Sequence, residues 1–387
     1  MFFGSHTGIF RIFPGRPSDE CSFYSEYSVN YDPRRRPWYG AASSGPKNVI
    51  FVVDNSASME DDSLKLLKGA LNRTIESLAY GDRLAIVAFN DTVHIIADLR
   101  SDKRYVMFEA NATHKTMAFE VIKRLSAGGA DNLIDAFNAT FQIMQNTIED
   151  DISSTACNTA ILFFTDGRIV EGINETYVKQ FVSSRLADLA KNGTNRIFFF
   201  TYSLNSESRA QKLPKELACL SDYGVWSKID NDDDIVESMN SYYQLFAQGL
   251  GKKHATAWVE PYFYSTGGVL GTTVSIPVYD NSREPAIFIG VIGIDFPLGA
   301  ILKTSDQKTS SEILAYAVGA GTCPEINLTV CLLESLRRLN GGTTCNASCS
   351  ADEYDDVEAS NCSFVEKFPT NIWKNSNSKG KSYVVSV

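Results

Sequence analysis

Histidine is scarce in this chain, with four residues in 387, and the four are scattered. That leaves few candidates for a general base. No Gly-x-Ser-x-Gly elbow, phosphate-cradling glycine loop or helical His-Glu-x-x-His occurs, so the usual routes to nucleophilic, phosphoryl and zinc-dependent catalysis lack their residues. No apolar run approaches the roughly 20 residues of a membrane span. The start, Met1 to His6, has neither the charged beginning nor the apolar core of a signal peptide. Basic stripes with interleaved aromatics are missing too, and a net charge of −10 argues against nucleic acid as a partner. Cys-x-x-Cys pairs are absent, which with so little histidine speaks against zinc. The chain reads as a binding protein rather than an enzyme.

What is present is a globular composition, 44% hydrophobic and 21% charged, over a length that allows two or three domains. The eight cysteines, five of them from Cys323 onward, then point to disulfides and an oxidising compartment. Asn-x-Ser/Thr sequons begin at Asn72, Asn90, Asn111, Asn138, Asn174, Asn192, Asn327, Asn346 and Asn361. Roughly four would arise by chance, so the excess points the same way, to glycosylation in the secretory pathway. The expectation is an extracellular piece of a longer protein, with any leader or membrane anchor outside it. Cys21 and Cys219 have no close cysteine neighbour and are the candidates for pairing with remote segments.

From 47 to 250, short apolar runs alternate with helical patterns, the signature of βα units around a mostly parallel sheet. Strands are expected at 48–53, 84–89, 160–164, 196–201 and 223–229. Leu64, Leu67, Leu71, Ile75 and Leu78 recur at helical spacing and would bury one face. Further helices are expected at 132–148, 177–191 and 235–250. Asp232-Asp233-Asp234 reads as the start of the last helix, where acids suit the dipole, rather than as a calcium loop.

Asp54-Asn55-Ser56-Ala57-Ser58 directly follows the first strand, and Thr165-Asp166-Gly167 follows the third. Loops leaving the carboxyl ends of parallel strands are where open α/β sheets bind ligands. Carboxylates and hydroxyls converging there make an all-oxygen site for a hard dication. The alternative is a cluster of turn and cap residues without metal.

These residues resemble the metal-ion-dependent adhesion site of von Willebrand factor A (VWA) domains, and the resemblance covers about residues 47–250. It implies an α/β fold, a Rossmann-like and mostly parallel sheet flanked by helices. It also implies a divalent cation, magnesium or calcium, whose open position is filled by an acidic group of a protein partner. Ser56 and Ser58 would be direct ligands, and Asp54 and Asp166 direct or through water. The family's middle loop usually adds a threonine; here 126–133 reads Ser-Ala-Gly-Gly-Ala-Asp-Asn-Leu, with Ala130 or Asp131 in that place. If Asp131 takes it, three carboxylates face one dication. The site then carries about −1 and attracts a partner carboxylate less strongly.

Outside that unit the pattern changes. Strands bounded by Pro, Gly and Asn suggest an antiparallel sheet, and residues 1–46 and 251–302 are similar to the two parts of a Cache sensor domain, an α+β module. The VWA unit, 47–250, would be inserted into it, and 303–387 is a cysteine-rich segment to which no fold is assigned. With Arg34-Arg35-Arg36-Pro37-Trp38-Tyr39 shortly before the metal strand, residues 1–302 resemble the alpha-2/delta auxiliary subunits of voltage-gated calcium channels. The resemblance implies the extracellular face of the plasma membrane, with membrane association through parts outside this chain. It also implies a calcium-channel pore subunit as partner. The alternative with the same architecture is an amino-acid sensor or adhesion protein without a channel.

Pro33 and Pro37 are expected to hold the arginine run extended, which puts Arg36 and Trp38 on one side as a carboxylate clamp. Asp295 ends an otherwise apolar strand and needs a cation or several donors. An α-amino acid would satisfy both. In Cache domains of this type the ligand-holding positions map onto Tyr31, Arg36, Trp38, Tyr262 and Asp295, while a further acidic position falls on Tyr264. The alternative is a structural Arg36–Asp295 ion pair under an aromatic lid.

Overall fold

A computed structural model of the chain describes residues 1–13, 32–59, 61–79, 81–150, 158–168, 174–192, 196–204, 206–250, 256–259, 261–264, 269–282 and 286–297, with Gly299, Cys331, Leu333, Glu334, Arg337, Cys345, Val384 and Val385. In chain order its elements are β1 (Phe2–Ser5), β2 (Phe10–Ile12), a 3-10 turn (Pro33–Arg35), α1 (Pro37–Ser44), β3 (Lys47–Asp54) and α2 (Asp61–Ser77). There follow β4 (Arg83–Phe89), β5 (Val93–Ile96), β6 (Asp98–Leu99), β7 (Tyr105–Val106), β8 (Phe108–Glu109), α3 (Ala112–Arg124) and α4 (Leu133–Glu149). Then come β9 (Asn158–Thr165), α5 (Glu175–Asn192), β10 (Arg196–Leu204), α6 (Lys212–Ala218), β11 (Tyr223–Ile229) and α7 (Asp232–Leu250). The last are β12 (Ala257–Trp258), β13 (Tyr262–Phe263), β14 (Leu270–Asp280), β15 (Ile287–Pro297) and β16 (Val384–Val385).

Five strands, in the order β11-β10-β9-β3-β4, are parallel neighbours, and β5 closes the edge antiparallel to β4. Every residue of β3 and of β9 is buried, as a sheet covered on both faces requires. Alternate side chains divide between two cores. Phe51, Ile86, Leu162 and Phe200 join one cluster with Leu67, Leu71 and Ile75 of α2 and Tyr242 and Phe246 of α7. Val52, Val87, Phe163 and Phe199 join the other with Phe137 and Met144 of α4 and Val178 of α5. The architecture is the expected helix–sheet–helix α/β fold. Beneath its amino-terminal edge, Lys47 and Asp82 form a fully buried ion pair at 2.7 Å. Asp82 also accepts the backbone N–H groups of Lys47 and Ala79.

The flanking segments meet in a second sheet. β1 pairs antiparallel with β15, which pairs with β14, and β2, β12, β13 and β16 extend it. Helix α1 joins the two sheets. Trp38, 1% exposed, meets Phe2 edge-on at 4.8 Å, and its carbonyl accepts the Ser275 hydroxyl. Tyr39 packs between Tyr243 of α7 and Phe288 of β15.

One local expectation is overturned here. The segment around the arginines is helical rather than extended: Pro33 opens the 3-10 turn and Pro37 opens α1. A proline at the first helical position loses no hydrogen bond and has the right φ, and Asp32 caps the turn by accepting the Arg34 N–H. Period-two alternation therefore does not apply, and Trp38 is a core residue.

Past the sheet, Cys219 is bonded to Cys345, 126 residues later, in line with the expectation that Cys219 pairs remotely. Cys21, by contrast, lies outside the described residues. Arg337 reinforces the attachment by donating to the carbonyls of Gly224 and Asp222 and pairing with Glu334, which accepts the Cys345 N–H.

Candidate metal centre

β3 and β9 are adjacent, so their carboxyl ends deliver Asp54 and Asp166 to one point of the sheet edge. Asp54 is 2% exposed. One of its oxygens accepts the Ser56 N–H at 2.9 Å and the other the Thr165 hydroxyl at 2.7 Å. The Ser56 and Ser58 hydroxyls lie 3.0 Å apart, and Ser58 donates to Asp166 Oδ1 at 3.1 Å. That oxygen also accepts the Arg168 N–H. The other, Asp166 Oδ2, is buried and accepts no hydrogen bond; the Arg168 guanidinium stands 4.0 Å from it.

Backbone bonds lock the surrounding loops. Ala57 N–H donates to the Gly129 carbonyl and Gly128 N–H to that of Asn55, while the Asn55 amide reaches the Ser126 carbonyl. Gly129 has φ +80°, and a Cβ there would lie 2.4 Å from an Asp91 oxygen. Gly167 has φ +73°, and a Cβ would lie 2.0 Å from the Ala210 carbonyl. Both conformations are open to glycine and costly for other residues.

The middle loop thus docks against the Asp54 loop and carries Asp131 to it. Asp131 is half-buried and Ala130 is exposed; the alanine methyl offers no donor atom, so of the two side chains only that of Asp131 can serve a cation. Burial first, and then the Asp131 charge, pushes the Asp54 carboxyl up to about 7. Burial likewise pushes Asp166 up, with Asp131 adding to the effect. Charge packed this way, beside a buried oxygen that accepts no hydrogen bond, fits a site for a positive ion. Asp54, Ser56, Ser58, Asp166 and Asp131 would hold it, an all-oxygen set for magnesium or calcium. Among the described residues no group of three or more His, Cys, Asp and Glu side chains has metal-site geometry; the Ser58 hydroxyl links Ser56 to Asp166. Thr165, to which sequence reasoning assigned no role, fixes the Asp54 carboxylate and accepts the Gly167 N–H. A hydroxyl at the strand end beside Asp54 was the available signal.

The second set of candidates is brought together only in part. Asp295 lies opposite Thr273, whose hydroxyl donates to it at 2.6 Å, and the Tyr262 hydroxyl reaches Thr273 at 2.7 Å. Burial pushes the Asp295 carboxyl up, and the Thr273 hydrogen bond works against that shift. Arg36 is the N-cap residue of α1, and Tyr31 lies outside the described residues. Arg34, 8% exposed, is locked to Asp32 through several bonds. Tyr264 donates to the Thr272 carbonyl.

Of the sequons, Asn72 and Asn174 are exposed, while Asn90, Asn111 and Asn138 are half-buried. The side-chain oxygens of Asn90, Asn111, Asn138 and Asn174 accept hydrogen bonds. A glycan is carried on the amide nitrogen, so these bonds do not compete with it. Asn327, Asn346, Asn361 and the Asn192 side chain lie outside the described residues.

A parallel sheet with an Asp-x-Ser-x-Ser loop at its carboxyl edge defines the class, and residues 49–168 match the profile of the von Willebrand factor type A domain. The chain is also similar to the alpha-2/delta subunits of voltage-dependent calcium channels. It is 27% identical over 380 residues to voltage-dependent calcium channel subunit alpha-2/delta-3 of Homo sapiens, covering 92% of this chain and 33% of that protein. It is 28% identical to alpha-2/delta-3 of Rattus norvegicus and 26% to alpha-2/delta-4 of Homo sapiens, in each case over 79% of this chain and 27% and 26% of the relative. The chain thus spans about a third or less of these relatives. Among solved structures, the von Willebrand factor type A protein from Catenulispora acidiphila shares 16% identity over 65% of this chain and 55% of that one, with a TM-score of 0.40.

Proposed function

We propose that this chain is the extracellular VWA-bearing region of an alpha-2/delta-like subunit, and that it binds a calcium-channel pore subunit through a divalent cation. The observation that carries this reading is the hydrogen-bonded chain Asp54–Thr165 and Ser56–Ser58–Asp166 at the sheet edge, with Asp166 Oδ2 buried and without a hydrogen bond. When bound, the cation supplies an open coordination position that a partner carboxylate fills. The chain's own residues orient it: Thr165 holds Asp54, and the docked 126–132 loop holds Asp131 nearby. The work done is binding rather than catalysis, as the relatives are channel subunits by name. Pulldown of the native protein from membranes, with and without chelator, tests the reading. Recovery of a pore subunit only with divalent metal is expected; metal-dependent recovery of other surface proteins instead would favour the sensor or adhesion alternative.

A second reading concerns the flanks. β1 and β15 lie at opposite ends of the 1–302 region yet pair in one sheet, which supports a Cache domain, residues 1–46 and 251–302, interrupted by the VWA unit at 47–250. Asp295, Thr273 and Tyr262 form the polar cluster of that sheet and are its candidate contacts for an amino-acid ammonium. Thermal-shift screening of the amino acids tests this, since a bound ligand raises the melting temperature; a flat screen would end it.

A further inference from the structure

Arg168 stands at the edge of the metal centre. Its backbone N–H is bonded to Asp166 Oδ1, its guanidinium lies 4.0 Å from Asp166 Oδ2, and its side chain is 47% exposed. An arginine so close to a cation site opposes the cation. The opposition has a use only where the acids outnumber the cation's charge. With Asp54, Asp131 and Asp166 around one dication, the centre carries about −1, which repels an incoming carboxylate. Arg168 brings the total to about zero.

We infer that Arg168 is a specificity-determining residue of the metal centre: its guanidinium and the cation together receive the partner's carboxylate. The inference rests on the metal-dependent binding proposed above and adds the group that makes an acidic partner acceptable to a three-carboxylate site. The geometry suits the task, because Arg168 follows Asp166 by two residues on the same loop and keeps half its side chain in solvent. Its planar fork matches a carboxylate in a way an ammonium does not. Asp166 Oδ2 is buried, accepts no hydrogen bond and lies 4.0 Å from the Arg168 guanidinium, so removing the guanidinium would act on an oxygen that would also serve the cation.

The two effects have opposite signs. Arg168→Gln removes a positive charge beside the cation, so Mg2+ should bind about fivefold more tightly. The same variant loses the fork, so acetate should bind the Mn2+-loaded chain at least fivefold more weakly. Arg168→Lys should return the Mg2+ affinity to that of wild type while recovering acetate binding only in part. Mg2+ affinity is read by calorimetry on the whole chain, and acetate affinity by broadening of the acetate methyl resonance. Should acetate affinity stay within twofold of wild type in Arg168→Gln while metal still binds, Arg168 has no such role and metal-dependent binding stands. Absence of Mg2+ binding by wild type would overturn both. If the glutamine variant fails to fold, full retention of acetate affinity in the lysine variant still contradicts the fork.

Discussion

Asp54 gives the sharpest handle on the metal centre, because its proton and the cation compete for the same oxygens. With the carboxyl at about 7, lowering the pH from 8 to 6 changes it from mostly ionised to mostly protonated. The apparent Mg2+ affinity should therefore fall about tenfold across that range, with nearly one proton released per ion bound at pH 6. Calorimetry in two buffers of different ionisation enthalpy counts that proton. The same shift acts on the metal-free fold. A carboxyl raised in the folded state favours folding below its unfolded value near 3.9, and that contribution is lost as pH rises through about 7. In chelator, wild type should lose roughly 4 kcal/mol relative to Asp54→Asn between pH 4 and pH 8. Mg2+ affinity independent of pH between 6 and 8, with no proton released, would refute this account of Asp54.

Three further outcomes follow from the geometry. Asp82→Ala strands the buried Lys47 ammonium and should cost about 3–5 kcal/mol in urea unfolding; a loss below 1 kcal/mol would mean that water reaches the site. Cys345→Ser opens a 126-residue loop and should lower stability by up to about 5 kcal/mol, exposing one thiol at position 219; unchanged stability would assign the attachment to Arg337 and Glu334 alone. Asp131→Thr removes one of the three acids, so Mg2+ should bind more weakly and acetate more tightly to the Mn2+-loaded chain; acetate affinity equal to or below that of wild type would exclude charge tuning by Asp131.

The central strands were legible because a strand buried on both faces is an unbroken apolar run: β3, β4 and β9 lie within two residues of their expected bounds, and β11 matches its own. Helix α2 was legible from its leucine stripe, and Leu67, Leu71 and Ile75 are fully buried. Helix α3 was not foreseen; it buries only Ala118 and Ile122, and Met117 is exposed, so its apolar pattern is thin. Asp232–Asp234 proved to be the start of α7, with Asp234 accepting the N–H groups of Asp230 and Asn231. The two acids and two serines of the centre were readable as strand-end residues. The Gly129–Asp91 and Gly167–Ala210 approaches were not, since they depend on loops that meet only after folding. At the arginines the two prolines misled, because proline fixes φ alike for an extended segment and for a first helical turn.

Calorimetric titration of the wild-type chain with Mg2+ at pH 8, beside Ser56→Ala, tests the central claim most directly. The account predicts one ion bound per chain by wild type, and none by the variant although its melting temperature in chelator is unchanged. Wild type that is folded and binds no ion, or a variant that binds as wild type does, would contradict it.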